Sequence, residues 1–289
     1  IIPYIEFAEG GWYLGGGMYT LARALVALAQ ECGVEIETGT EVVAVEIANG
    51  RATGVRLASG RSVEADRVVM NVDALHALRH LVAPEHRRVF SNRRIEHYEP
   101  SCSGFVLLLG VDRDYPGLAH HNIFFSRDYP AEFRAIFDFQ VPAPDPTVYV
   151  AVTARSDPEH APPGHLNLFV LVNAPVVNGR FDWEREAGGY RDLVVRWLER
   201  AGLVDLDRHI RFEHRITPLD FAECFHAWRG AIYGPSSNSR WAAFLRPPLR
   251  SPDVQRLYFV GGSTHPGGGI PLVLLSGRAV AAAIARDTG

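Results

Sequence analysis

The residues best suited to chemistry crowd near the C-terminus, in GGSTHPGGGIPLVLLSGRAVAAAIARD (Gly261–Asp287). Three consecutive glycines, Gly267 to Gly269, follow the apolar segment RLYFV and precede an apolar helical pattern. Glycines at such a place let backbone N–H groups face a ligand without interference from a Cβ. The helix that follows adds the positive end of its dipole, which suits a pyrophosphate or an electron-rich ring edge. The stretch is not a G-x-G-x-x-G fingerprint, and it lacks an acid about 20 positions later for a ribose. Taken alone, such a stretch is more often a plain structural turn than a nucleotide or flavin contact.

Other reactive side chains are weaker candidates. His265 precedes Pro266 in a tight turn, where a structural role outweighs proton transfer. His120 and His121 form an adjacent pair, but neighbours in a strand point to opposite faces, which argues against a shared metal. Trp12, Tyr13, Phe105, Phe124, Phe125 and Trp228 are candidates for an apolar tunnel, each with core packing as the plainer reading. Asp138 and Glu223 show no partner in the sequence, so no catalytic acid or base is assigned.

The elements that must position these residues are partly legible. GGGMYTLARALVALAQECG places Leu21, Leu25 and Leu28 at helical spacing and stops at Gly33. VEIET reads as a short strand. EVVAVEIANGRATGVRLASGRSVEADRVVMNVD then alternates apolar and polar residues, turning at Asn49-Gly50 and again at Ser59-Gly60. This predicts a β-meander ending on the buried strand RVVM. From Leu75 to about Pro218 the texture changes. LHALRHLV and PEHRRVFSNRR read as short helices, while CSGFVLLLGVD, TVYVAVTAR, LNLFVLVNAP and RHIRFEHRITPLDF read as strands. FDWEREAGGYRDLVVRWLERAG is amphipathic, with Leu193, Val194, Trp197 and Leu198 on its apolar side. The mixture predicts an antiparallel sheet with helices on one face.

Composition narrows the function classes. The 289 residues are 47% hydrophobic, enough for one large or two modest domains. A net charge of −4 and arginines that alternate with acids give no electrostatic case for nucleic acid. Cys32, Cys102 and Cys224 lie too far apart for a metal motif or a disulfide framework, which points to a reducing cytoplasm. No apolar run reaches transmembrane length; Ser276, Gly277 and Arg278 interrupt the nearest. The sequence opens without methionine, already inside an apolar and aromatic pattern, and is expected to be a piece of a longer protein.

LYFVGGSTHPGGGIPLVLLSGRAVA resembles the C-terminal flavin-binding signature of carotenoid desaturases of the bacterial phytoene desaturase type. The likeness continues, in family order, through GGWYLGGGMYTLARALVALAQECGVEIETGTEVVAVEI, RVVMNVDA, SCSGFVLLLGVDRDYPGLAHHNIFF and HAPPGHLNLFVLV. This resemblance implies an α/β fold. It would be part of an FAD/NAD(P)-binding, amine-oxidase-like domain, joined to a substrate domain with a mixed or antiparallel sheet. Residues 1–74 and 221–289 would belong to the flavin domain and residues 75–220 to the substrate domain. The implied activity is FAD-dependent desaturation of a long polyene or isoprenoid by hydride transfer to flavin. The alternatives are a flavin-dependent isomerase, an oxidase of another apolar substrate, or a non-catalytic fragment that binds an apolar ligand without FAD. Val42 matches the family position whose backbone meets the adenine. Gly261, Gly262, Gly268, Gly269, Ile270 and Pro271 match the motif lying along the ribityl chain and the isoalloxazine. Where related flavoproteins carry an acid after the strand, this chain has Ser263 and Thr264. The N-terminal FAD fingerprint is missing from the sequence, so the chain is expected to hold only the second half of the site. An apolar polyene substrate further implies peripheral contact with a membrane, and no oligomeric state is implied.

Overall fold

Asn49 and Gly50 both take positive φ, 49° and 72°, the pair of left-handed residues that a primed hairpin turn requires. The computed structural model describes residues 10–238 and 246–288, together with Tyr4, Phe7 and Ala8. The turn joins β1 (Val42–Ala48) to β2 (Arg51–Leu57) in antiparallel register, and β3 (Ser62–Glu64) completes the meander. β4 (Val68–Met70) leaves this sheet. Ahead of the meander, α1 (Tyr19–Glu31) forms where the leucine spacing predicts it, and Gly33 follows its end with φ 80°. None of its residues is buried, and Leu25, Val26 and Leu28 are exposed.

The expected strand at VEIET does not form: residues 34–38 carry no strand, and Val34 and Ile36 are exposed. An extended segment needs a ladder to satisfy its N–H and C=O groups, and none of the described sheets pairs with these residues.

After β4 the chain folds into the short helix α2 (Ala74–His76), which widens into a π-helical turn at Ala77–Leu81. The middle of the chain is a five-stranded antiparallel sheet. Its strands are β5 (Ser103–Val111), β6 (His121–Phe124), β7 (Val148–Ala151), β8 (Leu166–Ala174) and β9 (Ile210–Ile216), in spatial order β6-β7-β8-β5-β9. β5 is buried along nearly all its length because β8 and β9 flank it on both sides. One face is covered by α3 (Trp183–Arg200), whose Asp182 cap accepts a hydrogen bond from the Arg185 N–H at 3.1 Å. Trp183, Tyr190, Val194 and Leu198 pack from α3 onto Phe105, Leu107, Leu168 and Val170 of the sheet. Leu193 and Trp197, expected on the apolar side, are only partly buried at its margin.

The short helix α4 (Pro218–Glu223) opens with a capping box in which Thr217 and Asp220 bond each other's backbone. β10 (Leu257–Phe259) then returns to pair in parallel with β4, Phe259 opposite Met70, and α5 (Ile270–Thr288) closes the described chain.

Trp183 anchors the larger core, stacking on Phe105 at 5.7 Å and meeting Phe181 and Tyr190 edge-on. Its indole N–H is buried without an acceptor among the described residues. Trp183→Ala is therefore expected to cost about 3–5 kcal/mol of unfolding free energy through lost packing. Trp183→Phe removes the orphan donor and is expected to cost much less, as urea denaturation of the two variants would show.

Candidate functional site

The parallel pair β4/β10 sets the geometry of the C-terminal glycine stretch. Both strands run the same way, so Asn71-Val72-Asp73 and Gly261-Gly262-Ser263 emerge together at one carboxyl edge, the position where open α/β sheets hold ligands. The Val260 N–H donates to the Met70 carbonyl at 2.9 Å and carries the pairing one residue further.

At that edge the two segments interlock. Gly261 has φ 102°, and a Cβ there would lie 2.9 Å from Asn71 Oδ1, so both conformation and space require glycine. Its N–H donates to the buried Ser276 hydroxyl of α5 at 2.9 Å. Ser263 Oγ accepts from the Ala74 N–H at 2.8 Å, tying the turn to the start of α2. Thr264, fully buried, donates from Oγ1 to the Gly261 carbonyl at 3.1 Å. Ser263 and Thr264, standing where relatives of the resembled family carry an acid, are thus engaged within the protein.

The glycines divide into two kinds. A Cβ on Gly262 would sit 3.3 Å from Gly268 Cα, and one on Gly268 would sit 3.1 Å from the Tyr233 ring. Gly234, with φ 66°, leaves no room for a Cβ against Ser263. These positions are glycine because protein packs on protein. Gly269 differs: its φ is 107°, no atom of the described residues beyond its chain neighbours lies within 4 Å of its would-be Cβ, and both Gly269 and the adjoining Ile270 are exposed. Its carbonyl accepts the Val273 N–H at 2.9 Å, so the open surface sits on the first turn of α5. Pro271 is exposed on the same turn.

Arg246 fastens the whole turn. It is 9% exposed, and its guanidinium donates to the Gly262 carbonyl at 2.8 Å, the Pro235 carbonyl at 3.2 Å and Ser237 Oγ at 3.2 Å. Burial lowers its pKa, and the Asp73 carboxylate partly offsets that effect. Asp73 caps α2, accepting from the Leu75 and His76 N–H groups at 2.9 and 3.2 Å. Burial nevertheless holds its carboxyl above the ordinary carboxylate range.

Val42, at the start of β1, lines a groove of about 610 Å³ along β4. Val43, Val69 and Leu81 make its apolar wall, and Asn71 links it to Gly261. His76, His80 and His226 also line it, with the His76 ring 4.7 Å from each of the other two. Desolvation, with the neighbouring imidazoles second, pushes the His76 pKa down to about 4. Sequence reasoning missed this cluster, although the i, i+4 spacing of His76 and His80 was a readable sign. Asn71, Tyr233 and Arg246 carried no local signal.

The remaining candidates scatter. Phe105 and Trp228 are core residues, whereas Trp12 and Phe125 are 89% and 67% exposed, so the proposed tunnel aromatics do not converge. His120 and His121 do not point apart as expected: their rings lie 4.4 Å from each other. This occurs because His120 precedes β6 instead of continuing it. Their partners are hydroxyls, Ser156 at 2.6 Å and Tyr149 at 2.8 Å, and no metal-holding group occurs among the described residues. His265 is half-buried in the turn, and Asp138 and Glu223 lie on separate elements away from it.

Residues 2–285 match the family described as flavin containing amine oxidoreductase, and the chain belongs to that family. Two relatives narrow the neighbourhood. The chain is 39% identical to the 4,4'-diaponeurosporene oxygenase of Staphylococcus haemolyticus, over 97% of this chain and 56% of that one. It is 40% identical to the 4,4'-diapolycopene oxygenase of a Methylomonas species, over 99% and 57%. The chain thus spans about half the length of the relatives it matches. Among solved structures, an oxidoreductase from Methanosarcina mazei superposes with a TM-score of 0.62 at 18% identity, covering 92% of this chain and 55% of that one. Cyclohexylamine oxidase from Brevibacterium oxydans superposes at 0.56 and 14%, covering 94% and 53%. These likenesses establish an amine-oxidase-like α/β fold.

The His76 environment has a pH consequence. Its native pKa lies below the ordinary value of 6.5, so the folded state resists a proton that the unfolded chain accepts. Stability is expected to be full above about pH 6.5 and to fall as pH drops toward about 4. His76→Gln should flatten that slope. Urea midpoints measured between about pH 7 and about pH 4.5 would check it.

Proposed function

We propose that this chain forms the C-terminal part of a flavin-dependent oxidoreductase acting on a long, carotenoid-type polyene. The observation carrying this reading is the open first turn of α5 at Gly269 and Ile270, set at the shared carboxyl edge of β4 and β10 in a flavin-containing family. The 39–40% identity to two carotenoid oxygenases supports the substrate class. In this reading residues 1–74 and 221–289 contribute to the flavin domain, and residues 75–220, with the five-stranded sheet, form the substrate domain.

The residues present fit a flavin. Gly269 offers a face free of side chains, and the first-turn N–H groups of α5 with the helix dipole favour an electron-rich ring edge there. Gly261, Gly262 and Gly268 hold the turn in shape from beneath, Ile270 and Pro271 border the open face, and Val42 lines the groove along β4 that would receive the adenosine end. When bound, flavin supplies the two-electron acceptor that dehydrogenation of an allylic carbon needs. The chain's own part is to orient and to exclude water. Arg246 and Asp73 set the backbone of the turn, and apolar walls recognise a hydrocarbon by burial because it offers no hydrogen bonds. Exposed apolar groups at Val43, Val69, Ile270, Leu274 and Leu275 support a site completed by residues outside this sequence.

A polyene partitions into lipid, and the aromatic row Phe125, Tyr129, Phe133 and Phe137 supports peripheral membrane contact. Its successive rings are 6.3, 4.9 and 5.8 Å apart, and the first three residues are exposed. No helix among the described residues is long and apolar enough to cross a membrane.

A second reading, oxygenation of the polyene end, is favoured by the names of the two relatives. Mass spectrometry of products from the full-length protein separates the two: loss of two hydrogens marks desaturation and gain of oxygen marks oxygenation. An unchanged carotenoid together with turnover of an amine would overturn both. Gly269→Val in the full-length protein is expected to lower flavin affinity at least about tenfold, at a stability cost of about 1–3 kcal/mol for the strained φ. Unaltered flavin absorbance in the folded variant would remove Gly269 from the site.

A further inference from the structure

At the opposite edge of the β4/β10 pair, where the strands begin, four arginines surround one recess of about 390 Å³. Arg67 leads into β4, Arg256 leads into β10, Arg51 opens β2, and Arg250 reaches in from the segment before β10. Among the described residues the recess contains a single carboxylate, Asp287 near the end of α5, and its oxygens are already engaged. One accepts from Arg250 at 2.9 Å and the other from the buried Tyr258 hydroxyl at 2.7 Å. Arg51 Nε is taken up by Gln255 Oε1 at 2.9 Å. Arg67 lies beside the Tyr258 hydroxyl, and its Nε is buried without an acceptor among the described residues. Arg256 forms no ion pair among the described residues, and its φ of 65° holds it at the lip of the recess. Beyond it lies a separate hollow containing Glu46, Glu64 and Asp66, so Arg256 stands between an acidic and a basic recess.

We infer that this recess binds a phosphate group. Four guanidinium groups against one committed carboxylate leave a positive excess, and a buried N–H without an acceptor is costly until an oxygen supplies one. Guanidinium forks match a tetrahedral oxyanion with paired hydrogen bonds, and Ser251 adds a hydroxyl to the same wall. Cationic ligands are repelled by the same groups. The site lies at the amino edge of the strands, away from Gly269, so it is independent of the flavin reading. The phosphate can come from a lipid headgroup or from a free phosphate compound, and both present the same oxygens.

Thermal unfolding with inorganic phosphate, set against chloride at equal ionic strength, tests the assignment. An upward midpoint shift that saturates with phosphate and is lost in the Arg67→Gln/Arg256→Gln double variant is expected. No shift, or an equal shift in the variant, overturns the site. Sedimentation with phosphatidylglycerol and phosphatidylcholine vesicles then separates the sources. A preference for the anionic vesicles that free phosphate competes away, and that the variant loses, assigns a lipid headgroup. Stabilisation by free phosphate without that preference assigns a small phosphate compound. Equal binding to both vesicles would come from the aromatic row, and it leaves the thermal result to decide the recess. Because Arg67 lies beside Tyr258, Arg256→Gln alone is the control: Arg256 forms no ion pair among the described residues, so its loss must weaken the phosphate shift without lowering the midpoint in chloride.

Discussion

The parallel pairing of β4 with β10 is the constraint on which the rest depends. Three residues on each side, Val68–Met70 and Leu257–Phe259, close a loop of about two-thirds of the chain. Such a closure has an entropic cost that short ladders alone do not offset. It holds because Phe259, Leu257, Met70 and Val68 are buried in one cluster with Leu75, Leu78 and Trp228. Once the strands are aligned, everything at their two edges is placed: the glycine turn against Asn71 and Asp73 at one, the arginines at the other.

The turn itself is held by groups with little freedom to move. Arg246 bonds backbone carbonyls from two segments, and Ser276 fixes Gly261 from α5. A cation held mainly by carbonyl dipoles is expensive to bury, so its retention beneath Gly262 and Gly267 favours one backbone arrangement over its competitors. Rigidity of this kind suits a surface that must present a fixed backbone to a flat ligand, because pre-organised groups lose less entropy on binding.

The groove beside β4 is the counterpart to that rigidity. Burial lowers the pKa of His76 and His80 at one end while valines line much of the rest, so the wall is largely apolar although Glu41 and three histidines contribute to it. Its Val43 and Val69, and Ile270, Leu274 and Leu275 of α5, leave apolar side chains open to solvent.

Local physics made much of this fold readable from sequence. Asn49-Gly50 determined its own turn because few residues tolerate two left-handed positions in succession. The spacing in α3 determined a helix because its apolar face and its Asp182 cap lie within one segment. The glycines near the C-terminus announced a tight turn for the same local reason. Their division into packed and open positions was not legible, since it depends on Tyr233 and Asn71 arriving from elsewhere. Nor was the failure of residues 34–38 to form a strand, since alternation specifies an edge but not its neighbour. Arg246, the histidine cluster and the arginine recess are likewise products of distant segments meeting. Sequence determined the pieces whose hydrogen bonds close within themselves; tertiary structure decided every group whose partner is more than a turn away.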